Sequence, residues 1–232
     1  MSKSLITTIV VLIIIVLGGI WLMSKNTSTT GLDTENASST EENLTKGVPA
    51  DGTYDLSTAD SKVEWIGTKT LITDYKDVGT IDLQSGSFAV VNGQVASGTI
   101  VFNMKTITGT ETSNKEAPVS SLSKHLQSAD FFDVAKYPTA TFSVTGAEAV
   151  GGTDGAFMLT GSLDLKGIKN EIQFPVEFSK LADGRTMVAG SFKIDRTKWG
   201  LKYGSGQFFK DLGDKVIGDE VDVRFEAVAE MK

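Results

Sequence analysis

The chain has 232 residues, 40% of them hydrophobic, and a formal net charge of −7. That is apolar enough for a packed domain and too acidic for the phosphate contacts on which nucleic-acid binding depends. Cysteine is absent and His125 is the single histidine. Disulfides, thiol nucleophiles, cysteine-held metal clusters and zinc sites with several imidazoles are thereby excluded.

The first element in chain order is the uncharged run LITTIVVLIIIVLGGIWLM, Leu5 to Met23. As a helix rising 1.5 Å per residue it covers about 28 Å, close to the hydrocarbon thickness of a bilayer. A cleaved signal peptide has a shorter apolar core and small residues at its end, where this chain has Trp21, Leu22 and Met23. The sequence therefore predicts an N-terminal transmembrane anchor over residues 1–25. Lys3 and the α-amino group precede the run and Lys25 follows it. That balance predicts a single pass through the cytoplasmic membrane, with the remainder on the periplasmic or extracellular side.

Residues 26–50 are rich in Ser, Thr and Asn and hold few large aliphatics. Such a stretch recovers little of its ordering entropy by burial and reads as a flexible linker. The body, residues 51–232, keeps 19 basic and 25 acidic side chains with no basic cluster.

Period-two alternation dominates the body and predicts half-buried β-strands. Ile100, Phe102 and Met104 form one row; Ala140, Phe142 and Val144 the next. Phe157 to Leu165, Ile172 to Phe178, Val188 to Ile194 and Val221 to Phe225 continue the pattern. Asn92-Gly93 is a hairpin signal, since both residues accept positive φ. Ser85-Gly86, Asp154-Gly155, Lys166-Gly167 and Asp183-Gly184 are further predicted turns. No interval holds the helical crossovers of a parallel sheet. About eight strands then form a barrel or a sandwich, either of which deals with exposed edges. Gly161 and Gly190, on inward rows, predict local space or curvature.

Residues 117–133, APVSSLSKHLQSADFFD, are the predicted helical insertion. Pro118 suits an early helical position, Leu122 and Leu126 lie four apart, and Ser128 is placed to cap a second short turn through Phe131 and Phe132. His125 supports a catalytic reading only with a carboxylate held beside it, such as Asp130 or Asp133. No nucleophile elbow, phosphate loop or metal-binding histidine pair accompanies it.

The block HLQSADFFDVAKYPTATF, His125 to Phe142, resembles the characteristic segment of the YceI-like, polyisoprenoid-binding family. SLDLKGIKNEIQFPVEF at 162–178, IDRTKWG at 194–200 and GDEVDVRFEAVA at 218–229 resemble its later strands. The resemblance implies an all-β, lipocalin-like, eight-stranded antiparallel β-barrel with a short helical insertion, here preceded by the transmembrane helix. It also implies a long hydrophobic cavity for a polyisoprenoid or an isoprenoid quinone, with no other cofactor, no metal and no catalysis. Ligand-contact candidates by the same resemblance are His125, Leu126, Phe131, Phe132 and Tyr137 around the insertion, then Phe142, Phe174, Phe192, Arg196 and Trp199. Many relatives carry a histidine shortly before the glycine of the second strand, where this chain reads Asp77-Val78-Gly79. The function so implied is membrane-tethered carriage or sequestration of an isoprenoid lipid. The alternatives are an enzyme using His125 on an amphiphile, and a ligand-free barrel for protein interaction.

Overall fold

The computed structural model describes residues 44–232. Ten strands form one antiparallel sheet. They are β1 (Thr45–Lys46), β2 (Gly52–Leu56), β3 (Lys62–Thr68), β4 (Lys76–Val91), β5 (Gln94–Thr112), β6 (Thr139–Ala149), β7 (Ala156–Leu165), β8 (Ile168–Lys180), β9 (Thr186–Asp195) and β10 (Glu220–Met231).

From β3 to β10 each strand pairs with the next, and β10 returns to β3, so the sheet closes. β2 occupies the same gap between β10 and β4 as β3, at the opposite end of the barrel. The two short strands are halves of one stave, and β1 is a two-residue addition to β8. The result is the predicted eight-stave antiparallel barrel, and closure leaves no long free edge to cover. The barrel begins to engage the chain at Thr45, inside the stretch read as linker.

Turn chemistry sets the registers. Asn92 and Gly93 have φ of 53° and 69°, and Lys166 and Gly167 have 54° and 75°, so both two-residue hairpins turn through the left-handed region. Ser85-Gly86 makes no turn. It lies inside β4, where the pairing with β5 shifts between Leu83 and Ser85. A Cβ on Gly86 would come within 2.5 Å of Leu56 Cδ1, so this glycine admits the end of β2 against a bulged strand.

The helix α1 (Val119–Gln127) starts after Pro118 and stops at Ser128, whose hydroxyl donates to the His125 carbonyl at 2.7 Å. The Ser128 carbonyl then accepts the N–H groups of Phe131 and Asp133, forming the expected second turn. Ser123 anchors α1 to β5, its hydroxyl accepting the Gly109 N–H at 3.0 Å.

Among the described residues no helix is long and apolar enough to cross a membrane. α1 has nine residues, about 14 Å of rise against about 30 Å of hydrocarbon. The expected transmembrane helix, the membrane as a partner through it, the single-pass placement and the tethered form of the function are therefore corrected. Among the described residues the structure supports a barrel without a spanning helix. The run Leu5–Met23, on which that expectation rested, lies outside the described residues.

Candidate functional site

Inward side chains of all eight staves meet around an apolar cavity. Leu56, Val63, Leu83 and Phe88 line it from β2 to β4, Val95, Ile100, Phe102, Phe142 and Val144 from β5 and β6, and Leu159 and Leu163 from β7. Ile172, Phe174, Val176, Phe178, Val188, Phe192, Val223, Phe225 and Ala227 complete the wall from β8 to β10. No polar side chain belongs to it. The cavity has a volume of about 110 Å³. On β8 its lining residues span Ile172 to Phe178, roughly 20 Å of strand at about 3.4 Å per residue. An apolar void of this kind has nothing to offer water and suits a hydrocarbon chain.

Two inward glycines set where the rings go. A Cβ on Gly161 would meet Phe142 Cζ at 2.3 Å, and one on Gly190 would meet Phe225 Cζ at 2.8 Å. The space predicted at these glycines is thus taken by phenylalanine rings. Phe174 stacks on Phe192 with centroids 4.4 Å apart, and Phe142 leans on Phe174 at 5.2 Å.

Both barrel ends are closed. At the end made by the β4–β5, β6–β7 and β8–β9 connections, Tyr54 stacks on Phe88 at 4.9 Å and donates its hydroxyl to Ala50 O. Burial, aided by the charge of Asp51, pushes the Tyr54 phenol up. The α1 end is filled by Arg196, Trp199 and Leu201, each 1% exposed, with Phe131 and Leu126 beside them. The Trp199 indole donates to Leu163 O at 3.0 Å. Arg196 donates to the carbonyls of Leu201, Tyr203, Ile217 and Gly218 and pairs with Asp219 at 3.3 Å. Burial lowers its pKa, while Asp219 and Asp195 oppose that shift.

The sequence candidates thus divide into two groups. Phe142, Phe174 and Phe192 line the cavity. The other seven gather at the α1 end outside its wall. His125 meets Phe131 edge-on at 5.6 Å and Tyr203 at 4.4 Å. Phe132 packs on Phe131, whose face lies 5.8 Å from the Arg196 guanidinium. Lys166 donates its ammonium to the Phe131 carbonyl. Tyr137 covers the β7–β8 hairpin, where a Cβ on Gly167 would come 2.9 Å from its ring. Leu126 is buried under α1.

Two buried nitrogens have no partner, His125 Nε2 and Trp65 Nε1. Among the described residues no carboxylate pairs with His125 and no group of three acidic, histidine or cysteine side chains is placed to hold a metal. Cavity residues absent from the sequence candidates come from every stave, and those on β2 to β4, Leu56, Val63, Leu83 and Phe88, lie where short strands and bulges break the alternation. Ile172, Val176, Phe178 and Phe225 were visible as rows, but a row does not distinguish cavity wall from filled core.

Residues 54–229 match the YceI-like domain. A UPF0312 protein of Azotobacter vinelandii is 30% identical over 169 residues, covering 70% of this chain and 75% of that protein. Two solved structures share the fold. Burkholderia cenocepacia BcnA superposes with a TM-score of 0.57 at 21% identity, covering 75% of this chain and 99% of its own. A polyisoprenoid binding domain from Saccharophagus degradans superposes with a TM-score of 0.58 at 19% identity, covering 77% and 98%.

Proposed function

The chain belongs to the YceI-like family, and we propose that its barrel is a non-enzymatic binding protein that carries or sequesters a polyisoprenoid or isoprenoid-quinone lipid. The observation that carries this reading is the interior void whose wall is apolar on every stave. Each Å² of apolar ligand surface withdrawn from water there contributes about 25 cal/mol, and no charged side chain lines the wall. The name of the Saccharophagus degradans domain, whose fold this chain shares, points to the same ligand class.

The tail lies among Phe142, Phe174 and Phe192, and the α1 end receives the polar head. His125 Nε2 and Trp65 Nε1 are buried and unpartnered there, and an unsatisfied buried polar atom gains by meeting an acceptor or donor. A quinone carbonyl or a prenol hydroxyl has that chemistry. Arg196 has its donors committed to backbone and Asp219, so its part is structural. The enzymatic alternative loses its footing, because among the described residues no carboxylate partners His125.

Organic extraction of natively purified protein, read by mass spectrometry, should yield a prenyl lipid in stoichiometric amount. Protein that comes without such a lipid and takes up neither a C40 polyprenol nor a C40 isoprenoid quinone from vesicles would overturn the reading.

A further inference from the structure

The barrel closes, but its ladder is interrupted where β8 meets β9. Pairing runs from Lys180 opposite Thr186 to Val176 opposite Gly190 and stops there. Beyond that rung β8 continues to pair with β7 as far as Ile168, and β9 continues with β10 as far as Asp195. The facing sides of residues 168–175 and 191–195 therefore share no ladder. Pro175, with no N–H to donate, stands immediately after the last rung. At the far end the gap is bridged by the Asn170 amide, which donates to Lys198 O at 3.1 Å.

What fills the gap is aromatic. Continuing the register sets Phe174 opposite Phe192, and their rings stack at 4.4 Å with 19° between planes. Both rings line the cavity, as does Ile172. Phe192 and Ile172 are only half-buried, so the same side chains face the void and the outside. Side-chain rotation opens such a contact without breaking strand hydrogen bonds, whereas the α1 end opens only by breaking the hydrogen bonds of Arg196 and Trp199.

We infer that this seam is the ligand portal: a prenyl chain enters sideways between β8 and β9 by displacing the Phe174–Phe192 stack, and α1 with the Arg196–Trp199 plug stays closed. The inference rests on the lipid-binding reading above and adds the route and its gate. A lapse of pairing also occurs between β5 and β6 beyond the rung of Gly98 and Val144. There a Cβ on Gly98 would lie 3.0 Å from Val144 Cγ2, and Val95 behind it is buried, so that gap is packed shut.

The chain has no cysteine, which makes engineered cross-links unambiguous. Gln173→Cys with Lys193→Cys places two thiols across the seam on the outer face. Thr108→Cys with Ser123→Cys, whose hydroxyls lie 2.9 Å apart, locks α1 to β5 instead. Uptake of a C40 isoprenoid quinone from phosphatidylcholine vesicles is followed by quenching of tryptophan fluorescence. The oxidised seam lock is expected to slow uptake at least tenfold, with recovery on reduction, and the helix lock to leave it unchanged. Phe192→Ala, free of any cross-linking requirement, is expected to raise both association and dissociation rates. Slowing by the helix lock alone, or faster release from Phe192→Ala without faster uptake, overturns the portal while leaving binding intact. Unlocked protein that takes up no quinone overturns the binding reading, and the portal with it.

Discussion

Arg196 shows what a buried charge does in this barrel. It is 1% exposed and still charged, because four carbonyls and Asp219 surround its guanidinium. The segment 196–219 closes over it, so truncation leaves those acceptors facing an apolar interior. Arg196→Ala should lose about 3–5 kcal/mol in urea denaturation. Arg196→Lys should recover little of that, since an ammonium cannot reproduce the planar fork. Variants within 1 kcal/mol of wild type would show that water replaces the guanidinium. Gly161 is the opposite case, a residue defined by what it lacks. Gly161→Ala puts a methyl 2.3 Å from the Phe142 ring, and the overpacking should lower stability by about 1–3 kcal/mol in thermal unfolding. The same variant should weaken quinone uptake by pushing that ring into the void. Unchanged melting would mean that the ring has room to move aside.

Among the elements, the loops 57–61 and 181–185 are joined by one side chain. Arg185 donates to Asp60 at 2.6 Å and to Asp183 at 2.7 Å. Its side-chain hydrogen bond holds the Asp60 carboxyl below the usual carboxylate range. Asp183 is held low first by the Arg185 backbone N–H and then by its guanidinium. A lowered folded-state pKa stabilises fully above the unfolded carboxylate value and is lost as pH falls through the lower one. Stability should thus decline on the acid side of the carboxylate range, and Arg185→Ala should flatten that decline in a pH series of denaturation midpoints. The pair is solvent-exposed, so the effect should be small and should shrink in salt. Identical acid limbs for variant and wild type would remove this role from the loop contact.

For the barrel as a whole, an acidic exterior surrounds an uncharged cavity. Among the described residues acidic side chains outnumber basic ones, and the cavity wall carries no charge. Quinone affinity should therefore change less than about twofold between 0.05 and 0.5 M sodium chloride, an interval over which screened surface contacts weaken strongly. Titration of the vesicle-borne quinone at both salts measures this directly. A steep salt dependence would place the ligand on the charged exterior instead.

The sequence by itself determined the class of the fold and most of its inward face. Alternation from Ile100 to Phe225 marks β5 to β10, because a pleat turns every second side chain to the same side. Asn92-Gly93 and Lys166-Gly167 marked two hairpins, because positive φ is a local property. The family resemblance supplied the closed barrel and the ligand class proposed for it. Tertiary structure alone decided which rows are wall and which are plug. Phe142, Phe174 and Phe192 reach the cavity, whereas Arg196 and Trp199 seal one end, a difference set by strand tilt and by loops that close from elsewhere in the chain. It also decided that Ser85-Gly86 bulges to admit Leu56, and that Gly161 and Gly190 make room for rings on neighbouring strands. The gap beside Pro175 belongs to the same category. A missing N–H is written in the sequence, but whether it faces a partner strand depends on how the sheet curls to close.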